Sequence, residues 1–349
     1  MLINLYICGS SCSLFYSIEE IRPIRVSDPV RHDSDDPAIW VVTADPGQSL
    51  IIGTDKDPNG ALYVYDIEGN EIIGSRVRGL NYPNNVDVEY GIPVAGGEID
   101  IAVVTERNEG RLRVYSVPGM NSVDGGTGIP VFAGEADRSC MGIGLYKRPA
   151  DGAIFAIVSR KDGPSGSYLW QYRLQDNGSG VITGTFVRSF GLFSGEKEIE
   201  SVCVDDELGY VYYSDERAGI RKYHADPDHP EADIQLAFFG SGDFSGDMEG
   251  ISIYDSGDGT GYIIVSDQEA NDFIIYSREG SETEIHSHYK IKIIRVKAIK
   301  SDGNDVTHME LSSLYPGGLF VAMSDNRTFH YYSWEQFATA PGRQLNMHQ

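Results

Sequence analysis

The stretch HDSDDPAIW, residues 32–40, places Asp33, Asp35 and Asp36 directly before an apolar, strand-like run. Carboxylates this close repel one another and raise one another's pKa unless a cation or hydrogen-bond donors compensate. Oxygen ligands of this kind suit hard cations such as Ca²⁺. A single stretch of this type is more typical of a solvated acidic loop. Its meaning therefore depends on whether the rest of the chain repeats it.

Composition limits both the fold class and the partners. The chain has 349 residues and 41% hydrophobic content, enough for one large or two ordinary domains with a real core. Abundant glycine and tyrosine, without long stretches of 3.6-residue periodicity, predict a mostly β protein. A net charge of -24 argues against nucleic acid as a partner, because phosphate backbones need a basic surface. No apolar run approaches the length of a transmembrane helix, so we expect no membrane span.

The N-terminal residues suggest an export signal without establishing one. The run MLINLYICGSSC has a short apolar stretch but no positive residue before it, which favours an ordinary arm over a signal peptide. The alternative is the remnant of a longer leader, or a lipoprotein-type site at Cys8, in a secreted or cell-envelope protein. We predict such an arm over residues 1–20 and a single domain over 21–349. Cys8, Cys12, Cys140 and Cys203 form neither a CxxC metal pair nor a dense disulfide framework.

One short unit recurs six times along the chain. A β-type run ends in Ser or Thr and two polar residues: IIGTDK at Ile51, AVVTER at Ala102, AIVSRK at Ala156, VYYSDE at Val211, IIVSDQ at Ile263 and VAMSDN at Val321. A second strand follows each run and ends in a tyrosine: Tyr65, Tyr115, Tyr172, Tyr223, Tyr276 or Tyr332. This repeat length is typical of propeller blades. The sequence predicts an all-β, six-bladed β-propeller of about four antiparallel strands per blade, which residues 21–26 close by adding a strand to the last blade.

A third recurring strand precedes each run, and it carries the acidic residues. The predicted strands start at DDPAIWVV, VDVEYG, MGIGLY, ESVCVDD, MEGISIY and HMELSSLY. Equivalent ends of inner strands face the central channel, so one repeat position forms a ring, predicted to be Asp36, Asp87, Met141, Glu200, Glu249 and Glu310. Converging carboxylates cannot all stay ionised without cations. Since these ligands are oxygen only, several Ca²⁺ ions at the channel mouth are expected.

The polar pair after each Ser or Thr forms a second predicted ring. Three pairs contain a cation, Asp55-Lys56, Glu106-Arg107 and Arg160-Lys161, and three contain carboxylates without a cation, Asp215-Glu216, Asp267-Gln268 and Asp325-Asn326. Arg and Lys bind phosphate directly, and metal ions bind its remaining oxygens. The asymmetry therefore favours a polyphosphate ligand. Ordinary salt bridges at the blade tips are the alternative.

The chain resembles the β-propeller phytases, the alkaline, calcium-dependent 3-phytases. The resemblance rests on DDPAIW, NNVDVEYG, DDELGYVYYSDE, DMEGISIY and the closing YPGGLFVA and WEQFA, and it extends from about Val30 to Ala338. It implies a six-bladed propeller that binds several Ca²⁺ ions and hydrolyses inositol hexakisphosphate (phytate), and we expect a monomer. The expected mechanism is in-line attack by a metal-activated water, with no covalent intermediate.

The resemblance also assigns residues to roles. Calcium-associated positions are Asp35, Asp36, Asn85, Asp87, Glu200, Asp215, Glu216, Glu249, Asp305 and Glu310. Phosphate-binding positions are Lys56, Arg107 and Lys161, with Arg160 beside them, and the catalytic group is predicted to be Lys56, Arg107, Lys161 and Glu200. The family usually carries Tyr where this chain has Met141. His32 and His308 are expected beside the acid ring as polar loop residues.

Two other functions compete with a phytase. A propeller lactonase would need one buried Ca²⁺ and no cationic half-ring, so Lys56, Arg107 and Lys161 count against it. A catalytically weak propeller that binds calcium and phosphate compounds stays open because of Met141. Release of inorganic phosphate discriminates between these functions, since a binding protein retains its ligand without hydrolysing it.

Overall fold

The computed structural model describes residues 20–348, which form six antiparallel sheets around a channel. This architecture confirms the predicted all-β, six-bladed propeller. The inner strands, whose residues line the channel, are Ser34–Trp40, Pro83–Val94, Cys140–Lys147, Val202–Asp205, Met248–Gly257 and Asn304–Thr307. The second strands are Leu50–Asp55, Gly97–Glu106, Ile154–Arg160, Tyr210–Asp215, Thr260–Asp267 and Leu319–Ser324.

The outer half of each blade completes its sheet. The third strands are Gly60–Tyr65, Arg111–Val117, Leu169–Asp176, Gly219–His224, Asp272–Ser277 and Thr328–Ser333. The outermost strands are Val77–Leu80, Asn121–Ser122 with Ile129–Pro130, Ile182–Phe190, Ala237–Phe239, Lys290–Val296 and Arg25–Val26. Helical segments are few: the α-helix Trp334–Thr339 and the 3₁₀ turns Pro46–Gln48, Ile73–Ser75 and Arg107–Glu109.

The N-terminal end of the described chain pairs with strands of two blades. Arg25–Val26 pairs antiparallel with Thr328–Ser333 of blade six, as expected for ring closure. Glu20–Ile21 pairs parallel with Lys290–Val296, the outer strand of blade five. The predicted arm, with Cys8 and Cys12, lies outside the described residues apart from Glu20. Export and a monomeric state stay predictions.

The core lies between the blades. Each of six apolar clusters among residues 20–348 joins one pair of neighbouring blades. The repeated tyrosines of the third strands are buried, from 0% exposed at Tyr65 to 4% at Tyr172. Some use their hydroxyl groups to hold the loop beside them, since Tyr172 accepts from Phe132 N and Tyr223 accepts from Leu192 N. The tyrosines are therefore structural.

The repeated Ser or Thr ties neighbouring inner strands together. Thr105 Oγ1 accepts from Asn85 N of its own blade at 3.1 Å and donates to Met141 O of the next blade at 2.6 Å. Ser159 does the same with Gly142 N and Ile199 O. A small hydroxyl is needed because the inner strands converge here and their backbone polar groups are buried. This explains why the repeat ends in Ser or Thr.

The predicted first strand of unit six is wrong. The inner strand of blade six is Asn304–Thr307, and the stretch HMELSSLY lies after it in turns and loops. Glu310 is consequently exposed and outside the channel. The error arose because Tyr315 at the end of HMELSSLY imitates the end of other inner strands, while the true strand NDVT is short and polar.

Candidate functional site

The mouth of the channel is formed where each inner strand begins, and the strands are irregular there. Blades one, two, three and five have a register shift at this point. Aligning the six blades on it places equivalent residues at the mouth: Asp35, Asn84, Met141, Glu200, Glu249 and Asp302. The predicted ring combined different levels, because Asp36 is one residue deeper than Asp35 and Asp87 is three residues deeper than Asn84.

The two members of each polar pair have different environments. The first member holds the loop that leads into its own blade: Asp55 accepts from His32 N and Asp33 N, and Asp267 accepts from Ser245 N. The second member directly follows the second strand, beside the mouth. The residue pairs therefore form two rings instead of the single ring that was predicted. The ring of first members has a structural role.

Arg160 and Asp215 show the structural role of the first members. The Arg160 side chain is 1% exposed, and its guanidinium donates to Glu135 at 2.8 Å and lies over the Phe132 ring. Asp215 accepts from Ser194 N and pairs with Arg221 at 2.7 Å. Both predicted site residues are thus occupied within their own blades, and neither joins the mouth.

Acidic side chains from blades one, four, five and six crowd the mouth. Carboxylate oxygens of Glu198, Glu200 and Glu216 lie within 4.8 Å of one another, as do those of Glu216, Asp247 and Glu249. We call these residues, together with Asp35 and Asp302, the mouth cluster. Its members are all Asp and Glu, so it offers oxygen ligands only, the donor set that Ca²⁺ prefers.

Lys56 holds one side of the mouth cluster. Its ammonium pairs with Asp35 and lies 3.5 Å from Asp302 Oδ2 and 3.9 Å from Glu200 Oε1. Burial opposes the charge of Lys56, but Asp35, Glu200 and Asp302 together raise its pKa, so the ammonium stays protonated. The predicted phosphate ligand Lys56 thus lies directly among predicted metal ligands.

Lys197 holds the other side, and the sequence did not predict it. Its Nζ lies 2.6 Å from Glu216 Oε2, 2.7 Å from Asp247 Oδ2 and 3.4 Å from Glu249 Oε1. These carboxylates raise the pKa of Lys197 although burial acts in the opposite direction. The ammonium therefore partly neutralises the most crowded part of the cluster.

Arg107 and Lys161 complete a cationic arc at the mouth. Arg107 donates to Asn84 Oδ1 at 3.2 Å, and Asn84 Nδ2 donates in turn to Glu200 Oε1 at 2.7 Å. Lys161 pairs with Glu198, and its side chain remains 44% exposed. Lys56, Arg107 and Lys161 thus surround the same cluster from three successive blades, and Lys161 is accessible to a ligand from solvent.

The mouth cluster has more negative charge than its cations and donors satisfy. Among the described residues, Glu216 Oε1 and Glu249 Oε2 are buried without a hydrogen-bond donor. Burial raises the pKa of Glu216 to about 8, although Lys197 opposes the shift. Burial and the neighbouring Glu200 and Glu216 raise the pKa of Glu249 well above its ordinary value. Oxygens of this kind fit a divalent cation, which would compensate the charge that protons compensate otherwise.

A second set of carboxylates lies deeper, in a channel cavity of about 230 Å³ lined by Asp36, Asn85, Asp87 and Asp305 among others. Each carboxylate accepts from the inner strand of the next blade: Asp36 from Val86 N, Asp87 from Leu145 N and Asp305 from Ile39 N, at 2.7 to 3.0 Å. Burial raises the pKa of Asp87 to about 8 and of Asp305 to about 7. We call these three acids the channel bridges.

Three other predicted positions lie apart from the cluster. The Met141 side chain is 0% exposed, and its carbonyl accepts from Thr105. His32 lies near Asp57 in a loop, as expected. His308 is not beside the acid ring, because it follows the inner strand of blade six at the end remote from the mouth.

Sequence reasoning missed Lys197, Glu198, Asp247 and Asp302. Glu198 and Asp247 could have been found from a local pattern. Each lies two residues before a predicted acid, Glu198 before Glu200 in EKEIE and Asp247 before Glu249 in DMEG, and residues at this spacing lie on one side of an extended chain. Asp302 is found only after the inner strand of blade six is placed at Asn304–Thr307. Lys197 carries no signal in the repeat.

Fold and site together define a six-bladed propeller whose mouth combines clustered carboxylates with an arc of cations. The phytase family model matches residues 18–349, and the chain belongs to the phytase family. A 3-phytase of Bacillus subtilis (strain 168) is 32% identical over 370 residues, covering 99% of this chain and 92% of the relative. A solved structure described as "Structure of Dos1 propeller" shares 11% identity at a TM-score of 0.44, covering 90% of this chain and 70% of that one. Among residues 20–348 no helix has the length and apolar character to cross a membrane.

Proposed function

We propose that this chain is a calcium-dependent phosphomonoester hydrolase acting on inositol hexakisphosphate. Family membership and the Bacillus subtilis 3-phytase support the reaction class. The observation that carries the proposal is the combination, at one mouth, of buried carboxylate oxygens without donors and an arc of Lys56, Arg107 and Lys161. A polyanionic substrate needs cationic partners, which the arc provides. The buried carboxylates need a metal ion to compensate their charge.

The substrate carries several phosphate groups, and the mouth can hold more than one. Lys161, which is exposed, would make first contact with a phosphate from solvent. Lys56 and Arg107 would bind the oxygens of the group that reacts, since Lys56 is held between Asp35 and Asp302, and Arg107 by Asn84. Fixed cations of this kind stabilise charge that develops on phosphate oxygens in the transition state.

The acids of the mouth cluster would hold the calcium ions. Glu200, Glu216 and Glu249 offer oxygens from two blades, and Asp35 and Asp302 offer them from two others. When bound, calcium would neutralise phosphate charge and lower the pKa of the water that attacks phosphorus in line. The reaction consumes one water, breaks one phosphate ester bond and yields inorganic phosphate and the alcohol of the inositol ring.

Binding without turnover is the second candidate, and Met141 is the observation that favours it. A buried thioether provides no hydroxyl to a phosphate, whereas the resembling phytases usually have a Tyr at this position. A binding propeller would retain the substrate at the same mouth and release no phosphate.

Phosphate release from inositol hexakisphosphate, at neutral to mildly alkaline pH, tests the proposal. We expect release with Ca²⁺ and none with excess chelator. Glu200→Gln, which keeps the shape of the side chain, is expected to lower the rate by about 100-fold or more. Glu310→Gln is the matched control, because Glu310 is exposed and outside the cluster.

Two results would contradict the proposal. Folded protein that binds the substrate in calcium but releases no phosphate would favour the binding propeller. Equal losses in the Glu200 and Glu310 variants would show that the mouth cluster is not the site of the chemistry.

A further inference from the structure

A separate group of potential metal ligands lies at the opposite end of the channel strands. Asp255 lies near the end of the inner strand Met248–Gly257 of blade five, and His308 directly follows the inner strand Asn304–Thr307 of blade six. Both strands begin at the mouth, so this group lies a strand length away from the mouth cluster. His348, in the segment after the C-terminal helix, is the third member.

The three side chains lie close together. Ligand atoms of Asp255, His308 and His348 all lie within 4.8 Å of one another. The imidazole rings of His308 and His348 stack with centroids 3.9 Å apart and an angle of 13° between their planes. His308 Nδ1 lies 3.9 Å from Asp255 Oδ2. Two imidazoles and one carboxylate suit a borderline divalent ion rather than Ca²⁺.

Neighbouring groups orient these ligands as the outer contacts of metal sites do. Arg278 donates to Asp255 Oδ1 at 2.9 Å, which leaves Oδ2 directed at His308. His348 Nδ1 lies 3.2 Å from the carbonyl of Asp255. A proton on Nδ1, donated to that carbonyl, leaves the lone pair of Nε2 available to a metal. Arg278 adds little net repulsion, since it also pairs with Asp205 and Glu207.

The segment that carries His348 is already held in place without a metal. His348 N donates to Tyr254 Oη at 3.0 Å, and Asn346 N donates to Tyr262 Oη at 2.7 Å. Trp334 Nε1 donates to the carbonyl of Asn346 at 2.9 Å. These bonds hold the backbone of His348 beside His308, so binding one ion to both imidazoles requires only that a ring rotates out of the stack.

We propose that Asp255, His308 and His348 form a site for Zn²⁺ or a similar divalent transition metal. With three protein ligands, the fourth position of a tetrahedral ion faces solvent beside the exposed His348. The ion joins the C-terminal segment to the ends of blades five and six, and so stabilises the closed ring from the face opposite the mouth.

Zn²⁺ titration by calorimetry, in the presence of saturating Ca²⁺ to occupy the mouth, tests this site. We expect one Zn²⁺ per chain and a higher melting temperature with Zn²⁺ than without. His348→Gln and His308→Gln are expected to weaken binding by at least about tenfold. Since His348 is exposed near the end of the chain, its substitution leaves the propeller folded even if His308→Gln does not.

His229→Gln is the matched control. His229 stacks on His224 with centroids 3.6 Å apart, but within residues 20–348 this pair belongs to no convergent metal-ligand group. Its substitution should leave Zn²⁺ binding unchanged. The visible absorption of Co²⁺ gives a second readout, because nitrogen ligands in a four-coordinate site give stronger bands than water or carboxylates in an octahedral one. Absence of Zn²⁺ binding, or binding unaffected by the His348 and His308 substitutions, would overturn the proposal.

Discussion

The mouth cluster and the channel bridges are both buried and acidic, yet they differ in what compensates their charge. Each channel bridge accepts a backbone N–H from the next blade, as Asp87 does from Leu145. In the mouth cluster, oxygens of Glu216 and Glu249 have no donor among the described residues. The channel bridges are thus satisfied by the fold itself. In the mouth cluster, Lys56, Lys161, Lys197 and Asn84 compensate only part of the charge, and the oxygens without donors are left for a cation, which is why we assign function to the mouth and stability to the bridges.

Among the substitutions that compare the mouth cluster with the channel bridges, Glu249→Gln gives the largest expected effect on activity. Removing one carboxylate charge from the mouth should lower phosphate release by about 100-fold. It should also raise the melting temperature of chelator-treated protein, because it removes a buried carboxyl group whose ionisation is opposed by burial and by Glu200 and Glu216. Steady-state kinetics and thermal melts in chelator measure the two effects. A variant with normal activity but lower stability would place Glu249 with the channel bridges instead.

Asp305→Ala should have the opposite profile. It leaves Ile39 N and Val306 N without their acceptor, at a cost of about 2 kcal/mol in the free energy of unfolding. Urea denaturation, with and without Ca²⁺, should show the same loss in both conditions. A loss that appears only with Ca²⁺ would mean that Asp305 is a metal ligand, as the family resemblance implies.

The stability of the metal-free chain should depend on pH through the carboxyl groups of the mouth cluster. Burial raises the pKa of Glu216 to about 8, whereas an unfolded glutamate titrates near its ordinary value of 4.5. Without metal, the folded chain therefore binds more protons between these values, and its free energy of unfolding falls as the pH rises from about 4.5 to 8. Ca²⁺ replaces those protons, so its stabilising effect should grow over the same interval. Melting temperatures across that range, in calcium and in chelator, check this, and a calcium effect independent of pH would contradict it.

The smallest effects are expected for the adjacent residues Lys161 and Arg160, which are the second and first members of one polar pair. Lys161→Met should raise KM by about tenfold with an unchanged melting temperature, since the side chain is exposed at the mouth. Arg160→Met should lower the melting temperature and leave KM unchanged, because Arg160 is buried against Glu135. If both variants change KM equally, the distinction between first and second members of the pairs fails.

The fold could be predicted from the sequence because one repeat carries its own signals. The Ser or Thr that links inner strands and the tyrosine buried between blades recur in all six units, as at Thr105 and Tyr172. Local register was less predictable. A register shift moves a residue to another level of the channel, so Asp36 was assigned to the mouth although Asp35 occupies it.

Contacts between blades could not be predicted from a repeat that describes one blade at a time. Lys197 enters the carboxylates of blade five from blade four, and Asp302 meets Lys56 across the junction of blades six and one. His308 does not belong to the repeat pattern, and its contact with His348 likewise exists only in the folded chain. The chemistry of the site depends on these junctions, and the fold depends mainly on the repeat.

The pairing of the N-terminal strands with blades five and six determines when the ring can close during synthesis. Glu20–Ile21 and Arg25–Val26 pair with strands of blades five and six, which the ribosome makes last. At about 5 to 20 residues per second, the segment waits unpaired for tens of seconds while blades one to four emerge. Ring closure therefore follows the synthesis of all six blades, and until it occurs blade six lacks its outermost strand and exposes a free sheet edge.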